Sequence, residues 1–123
     1  MPSGGNAWVS ICDKNRKENF IPLDGNTVLK KISTMESSSW NYKGQEAAKF
    51  RHYGIMAQDF YQAFGHDALG VIGNDTTLNP VDLLGILVSA IQALELRTRE
   101  WMDLKEENAD IKQRLRVLEE KLR

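Results

Sequence analysis

Few side chains of this 123-residue chain could carry chemistry: one cysteine, Cys12, and two histidines, His52 and His66. Cys12 opens a compact charged stretch, CDKNRKENF, which runs up to Ile21 and Pro22. A thiol or hydroxyl is a poor nucleophile until a base takes its proton. On residue types alone, Cys12 reads as a small thiol without chemistry and Lys17 as a solvated member of a charged run. His52, within RHYG, reads as a hydrogen-bonded structural histidine, and His66 lies in a polar stretch where no role is expected. The cysteine and the two histidines lack the paired spacing of a zinc site, so no metal and no other cofactor is expected. A single cysteine also excludes an internal disulfide framework.

The elements that must hold these residues follow from periodicity and turn chemistry. Residues 1–8 read as a linker or the remnant of a longer chain, with Trp8 as the first anchor. Asp24-Gly25-Asn26 reads as a turn and helix start, and Val28, Leu29 and Ile32 continue at helical spacing, which predicts a helix over 26–34. Residues 38–43 read as a strand with Trp40 and Tyr42 on one face, ended by Gly44. A loop is expected over 45–50 and a short strand over 51–55. Met56, Phe60, Tyr61 and Phe64 then suit a helix closed by Gly65. Residues 66–78 read as a polar loop with a brief strand at 69–72. The stripe Trp40, Tyr42, Phe60 and Phe64 is expected to be core. Asn79 caps a long helix whose first residue is Pro80, with Asp82 placed where the helix dipole favours negative charge.

That helix carries an unbroken heptad pattern. Leu83, Leu87, Ala90, Leu94, Arg97, Trp101, Leu104, Asn108, Ile111, Leu115, Leu118 and Leu122 follow in steps of four and three. With Leu83 at d, the a positions are Leu87, Leu94, Trp101, Asn108, Leu115 and Leu122. Such a seam needs another helix against it. In a parallel coil each g residue faces the e residue five places on, which pairs Glu100 with Lys105, Glu107 with Lys112, and Arg114 with Glu119. All three pairs have opposite sign. Each exposed pair contributes only about 0.2–1 kcal/mol, so they select register more than they stabilise. Asn108 at an a position fixes register at some cost, and Leu115 at a with Ile111 at d leans towards three or four strands rather than two. Trp101 is bulky for a tight seam and is expected to mark a widened layer near the globular part. A parallel homotrimer is therefore expected, with an intramolecular hairpin or a dimer as the alternatives.

Removing residues 80–123 leaves about eighty residues, a size at which a lone core is marginal and association commonly helps. Charge is balanced, with 16 basic against 17 acidic residues. No nucleic-acid footprint or membrane-surface patch is apparent. The apolar stretch 83–96 is broken by Gly85, Ser89, Gln92 and Glu95, so no membrane span is expected. The opening Met1 to Gly5 is short, polar and glycine-rich, unlike a secretory signal.

Four segments occur in an order that resembles a known family: CDKNRKENFIPLDGNTVLKKI, WNYKG, RHYGIMAQDFYQAFG and NPVDLLGILVSAIQAL. Together they resemble the C-terminal intramolecular chaperone auto-processing domain of bacteriophage tail spikes, tail fibres and endosialidases. The resemblance covers roughly residues 8–96. It implies a domain that ends a fibrous chain, trimerises, aligns three chains while they fold, and then cuts itself off. The family's cleavage is attributed to a Ser–Lys dyad in the pattern Ser-Asp-x-x-x-Lys, at the boundary next to the serine. Here Asp13 and Lys17 match, while Cys12 holds the serine position. Ser10 does not fit, because its step to Lys17 is two residues too long. His52 falls where the family carries a histidine tied to assembly or cleavage. Gln58 and Asp82 fall on recurrent positions and are expected to be structural supports.

A lysine acts as base only when burial or neighbouring cations favour its neutral form. Lys14 and Arg16 are the neighbouring cations, and an apolar trimer interface would supply burial, so assembly is expected to switch the site on. With a thiol in place of the hydroxyl, the chain is either a natural variant of the self-cleaving peptidase or one in which cleavage is blocked.

The expected architecture is α+β: a globular part over 9–79 with short strands and helices, and a trimerising helix over 80–123. The expected partners are two further copies and the upstream fibre segment of the same chain, with no nucleic acid and no membrane. The expected setting is a phage tail-fibre precursor, or a bacterial or prophage-encoded relative, assembled in the host cytoplasm. A trimerisation module that never cleaves and a receptor-binding tip retained on a fibre are the other readings.

Overall fold

The computed structural model describes residues 4–123; the expected linker over 1–8 falls partly outside them. After an extended arm, a single 3-10 turn forms over Lys14–Arg16. Asp24 then starts helix α1, Gly25–Ser33, by accepting from the Asn26 amide at 3.1 Å and from the Thr27 hydroxyl at 3.0 Å. These contacts satisfy donors that the first helical turn leaves free. The helix therefore begins one residue earlier than the apolar spacing indicated.

Strands β1, Ser38–Trp40, and β2, His52–Gly54, pair antiparallel with Trp40 opposite His52. Both are shorter than expected. Beyond Trp40 the Asn41 side chain and the Gln45 side chain take over the hydrogen bonding, closing a turn at Tyr42 to Gln45. Two short strands are marginal alone. Arg51 spans the pair, donating to Asn41 Oδ1 at 2.7 Å and to Ser39 Oγ at 3.1 Å.

Helix α2, Ala57–Phe64, ends at Gly65 in a right-handed conformation. Glycine is required there for space, because a Cβ would collide with the Tyr61 carbonyl and ring. In the loop that follows, the expected strand over 69–72 is reduced to one bridge between His66 and Val71. Asp67 and Asn74 side chains accept from amides two and three residues on, and these local turns compete with a ladder.

Helix α3, Pro80–Lys121, starts at Asn79, whose Oδ1 accepts from the Val81 and Asp82 amides. Its length of 42 residues corresponds to about 63 Å at 1.5 Å per residue. The core lies where α1, α2 and the start of α3 meet. Val28, Phe60, Ile86 and Ala90 are buried, with Leu29, Ile32, Met35, Phe64 and Leu83 packed around them. Gly25 lets α1 approach α3 closely: a Cβ there would stand 3.0 Å from the Ala93 Cβ. Lys31 joins α1 to the end of α2, donating to the Ala63 carbonyl at 2.8 Å above the Phe64 ring.

Two expectations about packing change. The aromatic stripe does not form one core: Phe60 and Phe64 enter the helical core, while Trp40 and Tyr42 pack with His52 on the hairpin. The heptad seam is also not free along its whole length, since Ala90 is buried and Leu83 packed within the chain's own core. From Leu94 onward every residue of α3 is exposed. The helix does not fold back on itself, which disposes of the hairpin alternative.

Candidate functional site

Cys12 and Lys17 meet. Lys17 Nζ donates to Cys12 Sγ at 2.9 Å, across five residues of chain. Local structure makes this contact. Asp13 Oδ1 accepts from the Asn15 amide at 3.0 Å, and the Arg16 amide bonds back to the Asp13 carbonyl at 3.0 Å. The single turn over Lys14–Arg16 thus returns residue 17 to residue 12. Just beyond, Asn19 adopts a left-handed conformation (φ 55°) that asparagine tolerates better than most residues, and the chain changes course towards the core. Arg16 lies 3.9 Å from Asp13, so the neighbouring cation invoked for Lys17 already has an anionic partner. Both groups are solvated, and the pair contributes little to stability.

The dyad is open to solvent: Cys12 and Lys17 are exposed. So are the apolar residues on either side, Trp8, Val9 and Ile11 before it and Phe20 and Leu23 after it. Ile21 and Leu23 line a groove with Val28, Phe64, Ile72 and Ile86, which ties the arm to the helical core.

His52 stands apart from this pair. Its ring packs on Trp40, with centroids 4.8 Å apart, and edge-on to Tyr42 at 5.5 Å. Its Nε2 is buried without a hydrogen-bond partner among the described residues, as is the Trp40 Nε1. The hydrogen bond expected for His52 is thus not made at Nε2, and its ring contacts are those with Trp40 and Tyr42. Gln58 is exposed on the first turn of α2, and Asp82 is exposed on the first turn of α3. Of the expected site residues, only Cys12, Lys17 and Asp13 form one constellation. Sequence reasoning missed the pairing of Trp40 with His52. Its signal was present in the two short strand-like runs, but register across a hairpin is not readable from either run alone.

A second feature is the exposed length of α3. Leu94, Trp101, Leu104, Ile111, Leu115, Leu118 and Leu122 form an exposed row, with Asn108 within it and half-buried Leu87 at its upper end. Within the chain Arg99 pairs with Glu95 at 3.4 Å, Arg114 with Asp110 at 3.1 Å, and Lys105 sits 5.1 Å over the Trp101 ring. Arg114 and Lys105, expected to reach across to a second chain, are engaged on their own helix. No helix is long and apolar enough to cross a membrane.

Residues 12–68 match the family model described as the chaperone of endosialidase. The match begins at the thiol of the dyad and ends just past α2, so it contains the dyad, α1, the hairpin and α2, and leaves α3 outside. No curated protein matches the chain.

Proposed function

We propose, from the premise that residues 12–68 of this chain belong to the family of endosialidase chaperones, that the chain is an intramolecular chaperone for a phage tail-type fibre. It trimerises through α3, holds three upstream fibre segments in register, and in its serine form releases itself by one cleavage next to residue 12. The observation that carries this reading is the 2.9 Å contact of Lys17 Nζ with Cys12 Sγ inside the matched segment.

The chemistry follows from that contact. Heavy atoms at this separation are within reach for proton transfer. Once neutral, Lys17 accepts the proton of residue 12, whose side chain attacks the carbonyl carbon of the adjacent peptide bond. The same amine then returns the proton to the departing nitrogen, and a water molecule hydrolyses the ester left on residue 12, which frees the upstream segment. Removing a lysine from water favours its neutral form. In the single chain Lys17 is exposed, so a neighbouring chain that covers the arm and the apolar residues beside it would activate the base. Assembly would then precede cleavage, the order a folding chaperone needs. Asp13 positions the pair by holding the turn. His52, Trp40 and Tyr42 make up a separate support on the hairpin, and Gln58 and Asp82 act structurally at their helix starts.

The surface supports association. The chain exposes 10870 Å², against about 6700 Å² for a compact monomer of its 14.0 kDa mass. Much of the difference belongs to α3, whose exposed leucine row and opposite-sign flanking charges fit a parallel trimer.

A second reading is a trimerisation module that does not cleave. It is favoured by the thiol in the nucleophile position, since a site built for a hydroxyl differs from one built for sulfur.

An intact-mass time course separates the two. The chain with its upstream segment is compared as Cys12, Cys12→Ser and Cys12→Ser/Lys17→Ala. Cleavage in the serine form, lost in the lysine variant, is expected. Trimeric protein that stays whole in all three would leave only the trimerisation module.

A further inference from the structure

The thiol at position 12 bears on where the acyl group of the upstream chain goes. The bond next to residue 12 joins Ile11 to Cys12. Attack of Cys12 Sγ on the Ile11 carbonyl carbon closes a five-membered ring. Lys17 Nζ, 2.9 Å from Sγ, stands where it can take the thiol proton. When the ring opens, the C–N bond breaks and the same proton passes to the Cys12 nitrogen. The product is a thioester between the Ile11 acyl group and Sγ, with a free α-amine on Cys12. No atom is gained or lost in this shift.

The fate of that thioester follows from sulfur and from its neighbours. A thioester has less resonance stabilisation than an oxygen ester, so it yields far more readily to thiols, whereas water attacks both at similar rates. The Cys12 α-amine stays one ring closure away and restores the amide when no other acceptor intervenes. Ile11 carries two heavy atoms on its Cβ, which crowd the carbonyl against a weak nucleophile such as water. A stronger nucleophile has an open approach: Cys12 is exposed, and Val9 and Ile11 are 78% and 75% exposed.

We propose that this chain transfers its upstream segment to a small alkyl thiol instead of to water. The inference rests on the dyad cleavage proposed above and names the acceptor at that same site. The sulfur of the incoming thiol bonds to the Ile11 carbonyl carbon. The bond from that carbon to Cys12 Sγ breaks, and the proton of the incoming thiol goes to Sγ. The upstream segment leaves as a new thioester, and Cys12 becomes an amino-terminal residue with its thiol and amine free. Neither an oxidant nor a reductant is consumed. Without a thiol the peptide bond is the resting state. Sulfur in place of oxygen thus makes release conditional on an acceptor.

The test uses the chain as it stands, since transfer releases residues 1–11 as a peptide. Intact mass is followed with and without 2-mercaptoethanesulfonate for the unchanged chain, Cys12→Ser, Lys17→Ala and Ile11→Ala. The unchanged chain is expected to stay whole alone. With the thiol it should release residues 1–11 as the thioester adduct. Cys12→Ser should release the free acid with or without the thiol. Lys17→Ala should slow adduct formation about a hundredfold, the lower end of what a positioned base contributes. Ile11→Ala, at an exposed position, should raise the share of free acid severalfold, and an unchanged share would overturn the part given to Ile11. An unchanged chain that stays whole in thiol while Cys12→Ser cleaves would overturn the inference and leave the cleavage reading standing. Free acid as its main product, or an adduct rate indifferent to Lys17→Ala, would also overturn it. If the unchanged chain and Cys12→Ser both stay whole, the dyad reading fails, and this inference with it.

Discussion

Replacing Leu115 by alanine measures the seam directly. Leu115 is an a position, 53% exposed in the single chain, and lies far from the globular core. The substitution removes three carbons, each contributing about 0.8 kcal/mol when buried, so the loss is about 2 kcal/mol per chain. A trimer carries the change three times, about 6 kcal/mol in all, or about four decades in the assembly constant. For three chains in equilibrium with one complex, the half-assembly concentration follows the square root of that constant. It should rise about a hundredfold, by the same conversion. Alanine is the better helix former, so loss of helix propensity cannot imitate the effect. Sedimentation equilibrium reads the midpoint, and Gln113→Ala, on the opposite face, should leave it in place. A Leu115→Ala midpoint that does not move, or that moves no further than the Gln113→Ala midpoint, would refute the heptad register and the argument built on it.

Asn108→Leu should stabilise the coil while loosening register or strand number; unchanged mass together with an unchanged Tm would count against Asn108 in the seam. Phe60→Ala should cost the globular part about 3–5 kcal/mol, since Phe60 is one of four residues in the buried core cluster; loss of near-ultraviolet dichroism with retained trimer mass is the expected result. Asp13→Ala removes the cap of the turn between the dyad residues, about 1 kcal/mol. In the Cys12→Ser background it should slow cleavage severalfold without lowering Tm, and a rate equal to that of the parent would make Asp13 dispensable.

Much of this architecture was legible one residue at a time. Asn79, Pro80 and Asp82 marked the start of α3, and α3 begins there, because caps and dipole preferences act within one turn. Asp24 and Gly65 bounded α1 and α2 for similarly local reasons. The meeting of Cys12 with Lys17 is local too, since a capped turn of three residues brings position 17 back to position 12, but the residue types alone did not announce that turn. The strands were less legible. Their limits depend on partners, and the loop side chains Asn41 and Gln45 took hydrogen bonds that longer strands would have used.

What the sequence determined by itself is therefore whatever short-range physics controls: the helix starts, the heptad repeat and the signs of its flanking charges. The tertiary structure decided which apolar residues share a neighbour. It separated Trp40 and Tyr42 from Phe60 and Phe64, and it drew Leu83 and Ala90 into the chain's own core. Periodicity says that a residue faces inward towards something. Only the packing of α1 and α2 against α3 says what that something is, because burial is a property of the surroundings and not of the side chain.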